Sequence, residues 1–111
     1  MIIHKKNIER ILLLIHSFDS AGNPVSGLLF ETMSLGTKRR LQKISKELLI
    51  HHKQLNVDME EVNKSEEKEK EMAELLNETV TIDCEYVSIS EIDKINSPWN
   101  YDSETIEMIA Q

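Results

Sequence analysis

Residues 39–62 read RRLQKISKELLIHHKQLNVDMEEV, and within them Leu41, Leu48, Leu55 and Val62 recur at seven-residue steps, with Ile44 and Met59 filling the same side. This spacing predicts a long amphipathic helix with a coiled-coil-like seam. At about 100° per residue, Arg39, Lys43, Lys46 and Lys53 gather on the opposite side, with Lys38 and Arg40 beside them. One edge asks for burial and the other for water or an anion. Everything else in the chain is read around this helix.

At 111 residues the chain is expected to form one domain, 1–111, with a helical body over 1–92 and a C-terminal appendage over 93–111. Hydrophobic residues make up 40% and aromatics only 5%, so the core must come from Leu, Ile, Val and Met, a composition that favours helices. One cysteine, Cys84, excludes an intrachain disulfide and a four-thiolate zinc site, and a reducing cytoplasm is the expected setting. The apolar run 11–15 is short, is broken by His16 and lacks a small-residue cleavage site after it, so it reads as a core helix rather than a signal peptide or membrane span.

The net charge of −7 conceals a gradient: residues 1–36 balance, 37–57 carry +5, 58–85 carry −8 and 86–111 carry −4. The long helix is therefore basic first and acidic last, against the preference of its own macrodipole. Such a rod pairs favourably with an antiparallel copy, or with the acidic segment folded back beside it.

Upstream, 1–4 reads as a short strand and 7–18 as a helix, with Asn7 as cap and Ile8, Ile11, Leu12 and Ile15 on one face. The turn cluster 19–24 places Pro24 at the first position of a second helix, weakened by Gly27 and Gly36, with a break or kink at 36–37 and Thr37 capping the long helix. Downstream, Asn63 with Glu66 fits a capping box for a third helix over 65–76 that buries Met72, Ala73, Leu75 and Leu76; the alternative is one rod to residue 77. From Thr79 to Val87 the period falls to two, the mark of a half-buried strand, whose partner within this chain is 1–4. A short helical turn at 90–95 follows. Trp99, Tyr101 and a last helix capped by Ser103 and anchored by Ile106 and Ile109 form the appendage. The expected fold is thus mainly α (α+β): a long helical hairpin or bundle with a small two-stranded element made by the N-terminal and post-hairpin segments.

This order of parts, with Lys5 and Lys6 after the first strand, the Asn23-Pro24-Val25 turn and ELLNETVTIDCEYVSISEI over 74–92, resembles a group of small tailed-phage and prophage proteins. In these a long helical hairpin is flanked by two short strands near the termini. The resemblance covers roughly residues 1–92 and departs in the glycine-containing stretch 24–39 and the Trp99 tail. It implies a viral or mobile-element origin, hence the host cytoplasm, and carries over no catalytic residue.

Among residues with chemistry to offer, His51 and His52 are adjacent, diverge by about 100° on a helix and lack a zinc-type spacing, so they read as packing groups flanking the seam. Cys84 reads as a small buried hydrophobe. The acidic cluster Asp58, Glu60, Glu61, Glu66, Glu67, Glu69, Glu71 and Glu74 is interleaved with Lys64, Lys68 and Lys70 as an exposed ladder, which disfavours a magnesium-dependent nucleotide hydrolase. No phosphate loop, G-x-S-x-G or HExxH is present. No cofactor or metal is expected, and the net charge weighs against nucleic acid. The leading expectation is a non-catalytic assembly or adaptor component that self-associates through Leu41, Ile44, Leu48, His52, Leu55, Met59 and Val62. The first alternative is a counter-defence protein that sequesters a host protein or small anion with Arg39, Lys43, Lys46 and Lys53, and the hydrolase is the second.

Overall fold

In the computed structural model, which describes residues 1–95 and 101–111, helix α1 (Ile8–Ile15) lies against the first half of the 29-residue helix α2 (Leu35–Asn63). Helix α1 is apolar nearly all round, and it is covered on more than one side, as that pattern demands. Ile8, Ile11 and Ile15 are fully buried, Leu12 and Leu14 nearly so, and only Leu13 faces outward. One side of α1 meets α2; another meets the C-terminal helix α5 (Ser103–Ile109), whose Ile109 is fully buried. The tail expected as an appendage is therefore docked.

The two strands expected to find each other do so. Strand β1 (Ile2–His4) pairs antiparallel with β4 (Thr79–Thr81), with Ile3 opposite Val80 and both side chains in the core. Reciprocal backbone bonds between Met1 and Ile82 and a bond from Lys5 N to Glu78 O extend the pairing at both ends. Strand β4 covers only Thr79–Thr81 rather than 79–87, because the ladder with β1 ends there. Alternation nevertheless continues: Ile82 and Val87 are buried and Cys84 half-buried. Val87 then bridges in parallel to Ala110, with Val87 N donating to Ile109 O and Gln111 N to Val87 O, which stitches the C-terminus to the body.

The turn between the long helix and the third helix settles the hairpin against the single rod. Helix α2 ends at Asn63, the chain turns over 64–67, and α3 spans Lys68–Asn77. Ser65 Oγ accepts from Glu67 N, so the turn is held by Ser65 rather than by the Asn63–Glu66 capping box. On α3, Leu75 is buried, Met72 and Leu76 pack against the core, and Ala73 faces solvent, contrary to expectation.

The largest departure lies before α2. No helix starts at Pro24. Instead β2 (Ser17–Phe18) and β3 (Pro24–Ser26) form a small hairpin, closed by Asp19 Oδ1, which accepts from the N–H groups of Ala21 and Asn23, and by Gly22 at φ 84°. Helix α1 consequently stops at Ile15, three residues short of the expected end. Gly27, at φ 129°, then carries the backbone tight against the carbonyl of Ile15, a conformation and an approach open only to glycine. A 3-10 turn (Leu28–Phe30) buries Leu28, and α2 begins at Leu35 with Ser34, not Thr37, as its cap. Gly36 lies inside the first turn of α2 in open space and causes no break. At the other terminus Asp102, not Ser103, occupies the cap position of α5. A helical turn, α4 (Ile89–Asp93), matches the expected segment closely, and Trp99 lies outside the described residues.

Replacing Gly27 tests this connection. Gly27→Ala is expected to lower the melting temperature sharply, since its Cβ would collide with the backbone of Ile15 and His16, whereas Gly36→Ala is expected to be neutral or stabilising by up to about 1 kcal/mol. Equal melting temperatures for the two variants in a circular-dichroism scan would contradict this geometry.

Candidate association surface

The seven-residue stripe of α2 is filled from within the chain. Leu41, Ile44 and Leu48 have no exposed surface, Leu55 is 5% exposed, and Met59 and Val62 are half-buried against the same core. Helix α1 covers the first half and α3 the second. The residues expected as an interface between copies, Leu41, Ile44, Leu48, His52, Leu55, Met59 and Val62, are thus buried or half-buried within a single chain: periodicity marks a face for burial, and one chain suffices to bury it.

His52 and His51 diverge as expected of adjacent helical residues. His52 faces α1, where Glu9, Leu12, Leu13, His16 and Leu49 line a groove with it, and its Nε2 lies 3.5 Å from Asn56 Nδ2. His51 instead flanks the outer surface with Ile50, Lys53, Gln54 and Val57. His16, which sequence reasoning treated only as an interruption of the apolar run 11–15, joins α1 to α2 through a 2.8 Å hydrogen bond between Nε2 and Ser45 Oγ. Burial holds its imidazole below the ordinary value. Its partner lies 29 residues away, and no local pattern signals such a pair.

The opposite side of α2 is open. Arg39, Lys43, Lys46 and Lys53 are all exposed there, and none has a carboxylate within 4 Å among the described residues. The acidic segment after β4 takes only their neighbour: Arg40 reaches Glu85 at 3.3 Å, and Asp83 N donates to Glu47 Oε2. Between them lies a shallow cleft lined by Arg40, Lys43, Asp83, Cys84 and Glu85. Burial and the Glu47 carboxylate push the Cys84 thiol up, so it stays protonated at neutral pH and is a poor nucleophile. On the same face stand two large apolar residues that sequence reasoning passed over: Ile50, 65% exposed, between Lys46 and Lys53, and Val57, 54% exposed, beyond Lys53. Their one-heptad spacing was a legible signal, masked by the stronger leucine stripe. Leu49 and Leu13 add exposed apolar surface toward α1.

Two polar clasps set where this surface sits. Glu91 on α4 accepts from Thr37 Oγ1 and from Ser34 N, tying α4 to the first turn of α2; the Thr37 and Ser34 bonds hold its carboxyl below the usual range. Asp102 accepts from Thr105 Oγ1 at 2.6 Å and from Arg10 at 2.8 Å, tying α5 to α1, and the same two partners depress its pKa.

Among the described residues no three His, Cys, Asp or Glu side chains converge as metal ligands, and no helix is long and apolar enough to cross a membrane. The acidic ladder of α3 faces solvent, with Glu69 and Glu74 exposed and Glu71 half-buried. Comparison with protein-family models, curated proteins and solved structures finds no match to this chain.

The clasps predict a pH dependence. A carboxyl whose pKa is depressed on folding stabilises the fold fully above its unfolded-state value of about 4, and that stabilisation is lost as pH falls through the folded-state value. Glu91→Gln with Asp102→Asn is expected to melt below wild type at neutral pH, the gap closing as both carboxyls of the wild type become protonated. A gap that stays constant through the acid range would contradict the assignment.

Proposed function

We propose that the chain works by association rather than by catalysis, as a small self-associating assembly or adaptor component, with the outward face of α2 as its contact surface. The observation that carries this reading is the pair Ile50 and Val57, exposed one heptad apart near the middle of a helix whose other side is already filled by its own chain. Ile50 and Val57 line one shared surface hollow with His51, Lys53 and Gln54, and adjoining exposed aliphatic side chains, unlike single scattered ones, are what marks a contact surface. The resemblance to small phage proteins supports a component of this size, with the cytoplasm of a host as the setting this reading expects.

A second reading has one observation in its favour. Among the described residues Arg39, Lys43, Lys46 and Lys53 stand exposed without carboxylate partners, a row that suits an anionic ligand or an acidic host protein.

Mass by light scattering after size exclusion separates the two. Self-association predicts a multiple of 12.9 kDa for the wild type that falls to one chain in Ile50→Glu with Val57→Glu, with the helical melting curve preserved because both side chains lie outside the core. A wild type that stays at 12.9 kDa at every concentration overturns it.

A further inference from the structure

The outward face of α2 is zoned along its length. Arg39, Lys43, Lys46, Ile50, Lys53, Val57, Glu60 and Lys64 follow one another at alternating steps of four and three, a second coiled-coil-type stripe on the side opposite the leucines. Its first third is basic, its middle holds Ile50 and Val57, and its last third brings in Glu60 and Glu61, followed in the turn by Glu66 and Glu67. Little of this charge is consumed within the chain. Among the described residues Glu60 has no ion pair, and Glu61 meets only the exposed Lys64, at 3.6 Å.

From this zoning, and resting on the self-association reading, we infer that the occupant of the face is a second copy of the chain, its α2 lying antiparallel across a two-fold axis level with His51 and His52. That arrangement sets Lys43 of each copy opposite Glu60 and Glu61 of the other, with Lys46 about one turn away and opposite Val57, and it sets Ile50 of both copies beside the axis. Because the contact is isologous, every favourable charge pair is made twice. A parallel pair would put basic on basic and acidic on acidic. The helix dipoles favour the same choice: within one helix, cations near the N-terminus and anions near the C-terminus oppose the macrodipole, whereas an antiparallel neighbour offers each charged end its complement. The geometry of the protomer permits it. A 29-residue helix is roughly 44 Å long, almost the full 48 Å of the long axis, so two copies can lie side by side over most of the helix. Leu49 and Leu13 flank the face and widen the apolar contact.

The test compares four full-length proteins by sedimentation at low and moderate salt: wild type, Lys43→Glu with Lys46→Glu, Glu60→Lys with Glu61→Lys, and the variant carrying all four reversals. Antiparallel pairing predicts that each double variant dissociates at least about tenfold more readily than wild type, that the fourfold variant recovers most of the loss, and that added salt weakens the wild-type dimer. A wild-type dimer whose double variants associate unchanged, or whose fourfold variant stays as weak as the doubles, overturns the antiparallel pairing while leaving self-association standing. A monomeric wild type overturns both and assigns the face to a different protein. Orientation is read independently in a Cys84→Ser background, where mixed Lys43→Cys and Glu60→Cys chains are expected to form the crossed disulfide under mild oxidation. Formation of only like-with-like disulfides contradicts the inference.

Discussion

Burial of Leu41, Ile44 and Leu48 beneath α1 is the contact on which the remaining structure depends. With so few aromatic rings, the core is a set of aliphatic side chains, each contributing roughly 1.5–3 kcal/mol when fully buried. Ile8, Ile11 and Ile15 supply one wall and the α2 leucines the other. Once that pair is formed, the β1–β4 ladder has its two strands at opposite ends of a closed path. Helix α3 returns along the second half of α2, and Ile109 of α5 seals the far side of α1.

A helix of 29 residues is longer than a protein of this size needs for its own core, and that excess explains the surface. Its first half is embraced by α1 and by the segment after β4. Its second half rests on α3 alone, a ten-residue helix with one buried leucine. The outward side therefore runs uninterrupted along the molecule, and its charge order costs the helix local stability that a neighbouring chain can offset. Distant polar contacts keep the ends in place: Glu91 at the start of α2, Asp102 between α1 and α5, and Tyr101, whose hydroxyl donates to Glu31.

The elements that could be read from the sequence were those specified locally. Leucines at seven-residue steps dictate a helix, β-branched residues at two-residue steps from Thr79 dictate a strand, and with only two candidate strands the β1–β4 pairing followed. The stretch 17–34 was misread because Asn23-Pro24 suits a helix start and a hairpin strand alike. What decides between them is Gly27 against the Ile15 carbonyl, a contact between residues twelve apart that no local preference encodes. Likewise the stripe through Leu41, Leu48 and Leu55 announced that one face is buried without saying whether the cover belongs to the same chain. The cations Arg39, Lys43, Lys46 and Lys53 lie exposed on the side expected to face water or an anion, but Ile50 and Val57 on the same side were lost in a helix already rich in aliphatic residues. Glu91 and His16 act through partners 54 and 29 residues away and left no mark in the sequence around them.

The central claim is that the two faces of α2 have different owners, the leucine face its own chain and the Ile50–Val57 face a second copy. Paramagnetic broadening of methyl signals by a soluble probe, followed across a dilution series, reads both faces at once. The methyls of Leu41, Leu48 and Leu55 should stay protected at every concentration, while those of Ile50 and Val57 should be broadened in dilute protein and become protected as it is concentrated. Exposure of the leucine methyls on dilution, or Ile50 and Val57 broadened equally throughout, would contradict it.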